Sequence, residues 1–398
     1  GTDNIAIGHD ALKTEDAHGT NIAIGTLALE DLNAGVDGYN IAIGHNAGKE
    51  VSTGTRNTIM GGLAGDALTE GSNNVAIGYS ALSTEDTGGR NIAIGYAALE
   101  VLNYDGFGYN VAVGFEAGAN ITTGVQNTTI GGLAGSSLTE GNTNVAIGYG
   151  ALNTETLGDR NVAIGRSALL TQNNTSDTDV YNTAVGYAAG HAVTTGNSNT
   201  IIGGLAGDAL TTGNSNTFVG TFSGSAATIG NTNTAVGRDS LLTNVASDRN
   251  TAIGYQSLKT MTSASTVDSF NTALGYQSGL AVTSGIKNTI IGASAGIALT
   301  TPGHNVAVGY ASQGASTTGE FNTSLGGLSM GVGVTTGDYN TAIGYAAGND
   351  LTSGEKNVFL GAGAGENITT GAFNTALGYG SLSTENAHGR NVAIGYLA

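Results

Sequence analysis

The side chains that could do chemistry in this chain are six histidines, thirty carboxylates and many hydroxyls. Their spacing points away from catalysis. His9, His18, His45, His191, His304 and His388 never fall at the spacing of a metal-binding HExxH helix. His9 and His45 occupy a slot of a repeat where Tyr usually sits, which reads as surface filling. The GGLAG segments after Asn57, Asn127 and Asn199 have the glycines of a phosphate loop. They lack the Lys-Ser/Thr ending and the following helix that would complete the cradle. No Ser–His–Asp arrangement stands out. The acidic pairs Glu15-Asp16 and Glu85-Asp86, with Asp177 and Asp179, offer oxygen ligands suited to Ca²⁺. Without the GGxGxD nonapeptide of calcium-binding β-rolls they read as solvated turns. Twelve basic residues scattered singly do not make the groove of a polysaccharide lyase. The expectation is a protein without catalytic residues or cofactor, Ca²⁺ being the one ion its acidic pairs would suit.

The elements that carry these residues are set by an unusual composition. The chain has 398 residues, with 67 Gly, one Pro, no Cys, no Trp and only 11% charged residues. Such a chain cannot fill a thick core, but it can fill a narrow one if each turn of a repeat supplies a few apolar groups. The net charge of −18 disfavours nucleic acid and anionic membranes, which would repel it. No apolar run is long enough for membrane insertion as a helix. Zero Cys excludes a disulfide framework and thiolate metal sites.

The pattern Asn-x-x-aliphatic-Gly occurs 23 times, and 17 of its 22 intervals are 17 residues long. It runs through Asn4, Asn21, Asn40, Asn57, Asn74, Asn91, Asn110, Asn127, Asn144 and Asn161, and on to Asn391. A fixed period of this kind marks a stack of coils. The fold class it predicts is all-β: one continuous parallel β-solenoid (β-roll) over 1–398, with about 23 coils of ~17 residues. At a strand spacing of about 4.8 Å, the stack would be roughly 105 Å long. The Asn side chains are expected to form a ladder, each amide bonding to its neighbours or to turn backbone.

With Asn as position 0, position 1 is always Ile, Val or Thr and position 3 always Ile, Val, Leu or Met. Residues two apart share a face of a strand, so both are expected to point inward. Position 2, Ala in 16 copies, then faces out. On this reading Ala76, Ala93, Ala146 and Ala163, with Tyr79, Tyr96 and Tyr149 at position 5, form a flat interface strip. An Asp at Ile77 would then abolish folding locally. Thr fills position 1 in 12 copies, which raises ice binding; the Ile and Val of the other copies fit an inward site and weigh against it.

Position 4 is Gly throughout, as at a corner, and position 7 is Ala or Ser, a tight interior site. Position 8 is mostly Leu or Gly; where it is Gly, an apolar residue such as Val51, Leu68 or Ile121 usually stands at position 11. Each coil thereby supplies one large plug, as close packing requires. The seven copies with a substituted position 2, such as Ile59 and Phe218, all have a small or modest position 5, and the two positions are read as sharing one crowded surface.

Four-coil superunits cover 4–73, 74–143 and 144–215, and the register shifts after about 216. Longer loops at 30–39, 100–109, 170–181 and 260–270 recur along the chain. Their residues Asp31, Asp37, Tyr104, Asp105, Asp177, Asp179 and Asp268 are candidate contacts for a receptor. The coil SLSTENAHGR near the end nearly repeats ALKTEDAHGT near the start, so the array is expected to continue beyond both ends.

The segments Asn74-Val75-Ala76-Ile77-Gly78, Asn161-Val162-Ala163-Ile164-Gly165 and Asn391-Val392-Ala393-Ile394-Gly395 resemble the head repeat of YadA-type trimeric autotransporter adhesins. Similar repeats occur in phage tail-fibre-like proteins. The resemblance covers essentially the whole chain, with a longer coil of 17 residues. It implies a left-handed roll, a homotrimer and attachment to surfaces. The expected function is a non-enzymatic, extracellular or cell-surface adhesin head or a virion fibre shaft, with a host-cell, matrix or glycan receptor. The alternative is a protomer of an extracellular filament or sheath, joined end to end through open coil edges.

Overall fold

The computed structural model describes residues 2–15, 18–262, 267–384, 386 and 388–398. Asp16 of one acidic pair, part of the 260–270 loop, and Glu385 and Ala387 of the SLSTENAHGR coil lie outside the described residues. Two compact units make up the chain, Gly1–Ser198 and Asn199–Ala398. Each is a parallel β-solenoid, and no helix occurs among the described residues. Every coil contributes one three-residue strand at positions 1 to 3. In the first unit these run from Ile5–Ile7 to Thr183–Val185, in the second from Thr200–Ile202 to Val392–Ile394. Successive strands pair in parallel with no slip: Val75 faces Ile92, Ala76 faces Ala93, and Ile77 faces Ile94.

The Asn side chains stand in file. The backbone N–H of Asn57 donates to Oδ1 of Asn40 at 2.9 Å, and that of Asn127 to Oδ1 of Asn110 at 2.9 Å. Where the coil is 17 residues long the side-chain nitrogen closes it, as where Asn57 Nδ2 donates to the Gly71 carbonyl at 2.8 Å. Asn21, Asn91, Asn161 and Asn250, which begin the long-loop coils, donate instead to the carbonyl two residues before them. Asn21 through Asn161 are buried, so this pairing satisfies groups that water cannot reach.

The corner after each strand is a glycine at φ between 124° and 144°. A Cβ on Gly148 would lie 2.7 Å from the carbonyl of Gly165 in the coil above, so no other residue fits that column. Positions 6, 8 and 16 are left-handed as well, even where they carry side chains: Ser80 (φ 53°), Leu82 (54°) and Arg90 (62°). Such residues cost about 1–2 kcal/mol each. Ladder bonds at the same residues offset this, with Ser80 N–H donating to Gly62 O at 3.1 Å and Leu82 N–H to Ala98 O at 3.0 Å.

The structure reverses the expected facing of the strand. Ala76, Ala93, Ala146 and Ala163 are fully buried, while Val75 and Ile77 are only half-buried. The reason is that the buried Asn at position 0 sets the alternation, which carries position 2 inward with it and leaves 1 and 3 outside. The Ala column is therefore core and not an interface. Position 2 packs in one core with the Ala of position 7 and the plug of position 8 or 11, as in the buried cluster of Met330, Ala342, Ala347, Leu351, Phe359 and Ile368.

The exchange of volume at position 2 is also internal. Ile59 fills space that a Cβ on Gly48 would enter, 2.8 Å away, and Phe218 lies 2.9 and 2.7 Å from Cβ positions on Gly207 and Gly224. A large position 2 thus needs glycine at position 8 of its own and the preceding coil. Small Ser324 stands instead beside a coil whose position 8 is the buried Met330. Positions 2 and 5 do not share a surface.

Candidate functional surfaces

With the Ala column inside, the outer face of the strands is built from positions 1 and 3 and bordered by positions −1 and 5. No charged residue occurs at position 1 or 3 in any of the 23 copies. In the first unit the face is mainly Ile and Val, and Ile92, Met60 and Ile130 are 36–38% exposed. In the second unit position 1 is Thr in nine of twelve copies, so hydroxyls replace methyl groups along that face.

Both borders are aromatic. Tyr79, Tyr96 and Tyr149 at position 5 are exposed. Tyr79 stacks on Tyr96 at 5.8 Å and Tyr96 on Phe115 at 5.2 Å, their rings nearly parallel. At position −1 cations meet rings: Arg90 lies over Tyr109 at 5.4 Å, Arg249 over Phe270 at 5.4 Å, and Lys356 over Phe373 at 5.1 Å, and Arg90 also lies 3.9 Å over the loop residue Phe107. Columns −1, 1, 3 and 5 hold nine of the twelve Lys and Arg but one carboxylate of thirty, Asp3. The acidic surface therefore lies elsewhere on each coil.

The long loops hold most of the remaining candidate contacts. Asp31, Asp37, Tyr104, Asp105, Asp177, Asp179 and Asp268 are all exposed. Several are tied down. Arg160 pairs with Asp179 and Arg249 with Asp268. Tyr181 donates to Asp179 at 2.9 Å, and Thr87 to Asp105 at 3.0 Å. The loop residues Thr178 and Asp179 pair with Gly158 and Asp159 as a second short ladder.

Two buried carboxylates anchor these loops: Glu85, which is inside and not in the solvated turn expected for the Glu85-Asp86 pair, and Glu155, missed in the sequence. Glu155 accepts from Gly158 N–H (2.9 Å), Asn174 N–H (3.0 Å), Asn174 Nδ2 (2.9 Å) and Gln172 Nε2 (2.7 Å). Glu85 accepts from Gly88 N–H at 2.7 Å and Tyr104 N–H at 3.3 Å. Burial pushes the Glu85 carboxyl up to about 7, against the pull of these backbone donors. The signal was present: position 11 turns from apolar to Glu in the coils just before a long loop, at Glu15, Glu85 and Glu155.

Nothing resembling a catalytic constellation is assembled among the described residues. No group of three or more His, Asp or Glu among the described residues is placed to hold a metal ion. One shallow cleft of about 230 Å³ is lined by Tyr345, Glu366, Tyr379 and Ser383. A more open one of about 440 Å³ lies beside Asn46, Lys49, Glu50 and Asp66. There burial raises the Asp66 carboxyl, and Lys49 pairs with Glu50 at 2.7 Å. Neither cleft pairs a nucleophile with a base. No helix among the described residues is long and apolar enough to cross a membrane.

No protein-family model matches this chain, and no curated protein matches its sequence. The class that the fold defines is the parallel β-solenoid repeat protein.

Proposed function

We propose that this β-solenoid is a non-enzymatic extracellular attachment protein, an adhesin head or fibre shaft, working as a homo-oligomer that packs through the aliphatic strand face. The observation that carries this reading is the outward placement of Ile and Val at positions 1 and 3 of the first unit. Continuous apolar faces of this kind mark interaction surfaces. Charge supports a second copy as the occupant. Copies carrying −18 each repel one another over most of their surface, and the strand face is the region almost free of carboxylates. A homotrimer, as the adhesin-head resemblance implies, brings three such faces together. The loops bearing Asp105, Asp177 and Asp179, held by Glu85 and Glu155, are then left outside for a cell-surface, matrix or glycan receptor.

The test is mass in solution by sedimentation equilibrium. A discrete oligomer is expected, and the double variant Val145→Lys/Ile147→Lys should convert it to monomer while keeping its β-sheet spectrum. Threads that lengthen with concentration in both proteins would favour the end-to-end filament. A wild-type monomer at all concentrations would overturn the reading.

A further inference from the structure

The second unit carries a different outer face, on which threonine hydroxyls replace methyl groups in one long row. Thr200, Thr217, Thr234, Thr251, Thr272 and Thr289 occupy position 1 in six consecutive coils. Their strands pair in register, Thr over Thr, five times in succession. The row therefore repeats at the strand spacing, about 4.8 Å. Ile202, Val219, Val236, Ile253, Leu274 and Ile291 form a second, aliphatic row beside it.

None of the six hydroxyls makes a hydrogen bond within the chain among the described residues. This is not the habit of threonine here. Thr211, Thr228, Thr243, Thr260, Thr283 and Thr300 of the same coils each donate to a carbonyl of the next coil, at 2.6–3.3 Å. Position 1 accepts Val and Ile equally well, as in the first unit, so the fold does not ask for the hydroxyl. Sealing six of them against an apolar partner would leave each unpaired, at about 1–3 kcal/mol apiece. Whatever covers this row must offer a hydrogen-bonding group at every coil.

We infer that the threonine face of the second unit binds ice. Columns 1 and 3 carry no charge, and a crystal of water is an uncharged partner. The paired strands hold the threonines in a single row at the strand repeat, which is close to the spacing of oxygen atoms on an ice surface. The methyl groups of the two rows fill the hollows between those oxygens. Over the coils of Thr200 and Thr217 the borders are small as well, with Ser198 and Ser215 on one side and Gly204 and Thr221 on the other, whereas from Thr234 to Thr272 the row runs between larger side chains, Arg238, Arg249, Tyr255, Phe270 and Tyr276. The expectation against ice binding rested on position 1 pointing inward, and the structure places it outside.

Slow freezing of a dilute solution around a cold finger, followed by assay of protein in ice and liquid, tests this. The wild-type chain is expected in the ice fraction and should arrest recrystallisation of fine-grained ice. Thr234→Lys, a charged side chain in mid-row, should lose both effects with an unchanged circular dichroism spectrum. Thr234→Val, the residue other coils already use, should weaken them while keeping the fold. Exclusion of folded wild-type protein from the ice overturns the inference. So does a fall in oligomer mass on Thr234→Lys, which would show the row sealed between copies. The first-unit variants Val145→Lys/Ile147→Lys separate this inference from the proposed oligomer, because they leave the threonine row untouched.

Discussion

Asn74 donates its backbone N–H to the side-chain oxygen of Asn57 at 2.9 Å and its own side-chain nitrogen to the Gly88 carbonyl at 2.9 Å. It thereby links two coils and closes one. The side-chain oxygen of Asn74 in turn accepts the Asn91 N–H at 2.9 Å. A single residue type thus satisfies three buried groups per coil, which is why the period is written in asparagine.

Replacing Asn74 by Ala should leave the Asn91 N–H and the Gly88 carbonyl without partners. Each loss costs about 1–3 kcal/mol in a buried site. Because solenoid stability is a sum of neighbour interfaces, the damage should stay local. Hydrogen exchange should show lost protection at Asn91 and in the adjoining coils, with coils around Asn161 unchanged. Uniform loss of protection through the first unit would contradict this coupling.

The reversed strand facing gives a paired comparison. Ala76→Asp places an unpaired charge in the closed interior and should unfold the surrounding coils. Ile77→Asp lies on the outer face and should cost on the order of 1 kcal/mol. Thermal unfolding of the two variants decides between the facings, since the inward reading of position 3 demands the opposite order.

The sequence carried the coil length, the strand positions, the asparagine file and the constant-volume plug at positions 8 and 11. It did not carry the facing of the strand. A three-residue strand flanked by a corner glycine offers too short an alternation to choose a side, and Ile and Val at positions 1 and 3 look like core residues on apolarity alone. Asn4 to Asn161 held the answer: a ladder of amides with no water must be inside, and position 2 follows position 0. The glycine at position 8 beside Ile59 or Phe218 held it too, but the volume exchange was assigned to position 5. Glu85 and Glu155 stayed hidden because a carboxylate in a turn reads as solvated until its backbone donors are seen.

Corner glycines should be the least replaceable residues. Gly148→Ala puts a methyl group 2.7 Å from the Gly165 carbonyl at φ 126°, so the stacked backbones must separate. A loss of several kcal/mol is expected, beyond the 1–2 kcal/mol of the left-handed conformation alone. Gly204, at position 5, has nothing within 4 Å of its Cβ direction. Gly204→Ala should change the unfolding temperature little, and equal sensitivity at both sites would remove the packing argument.

Acid should strengthen the first unit rather than weaken it. The Glu85 carboxyl is pushed up to about 7 by burial, while in the unfolded chain it titrates near 4.5. The folded state therefore holds an extra proton between those values, and stability contributed by the neutral form is lost as pH rises through about 7. Burial raises the Asp66 and Asp159 carboxyls in the same direction. Unfolding monitored from pH 5 to pH 8 should show declining stability, with loop 100–109 exchanging faster at pH 8. Glu85→Gln keeps an acceptor for Gly88 or Tyr104 without the charge, and should flatten that part of the profile and raise stability at pH 8. The reverse slope, with loop 100–109 released on acidification, would show that the ionised carboxylate is the form the loop requires.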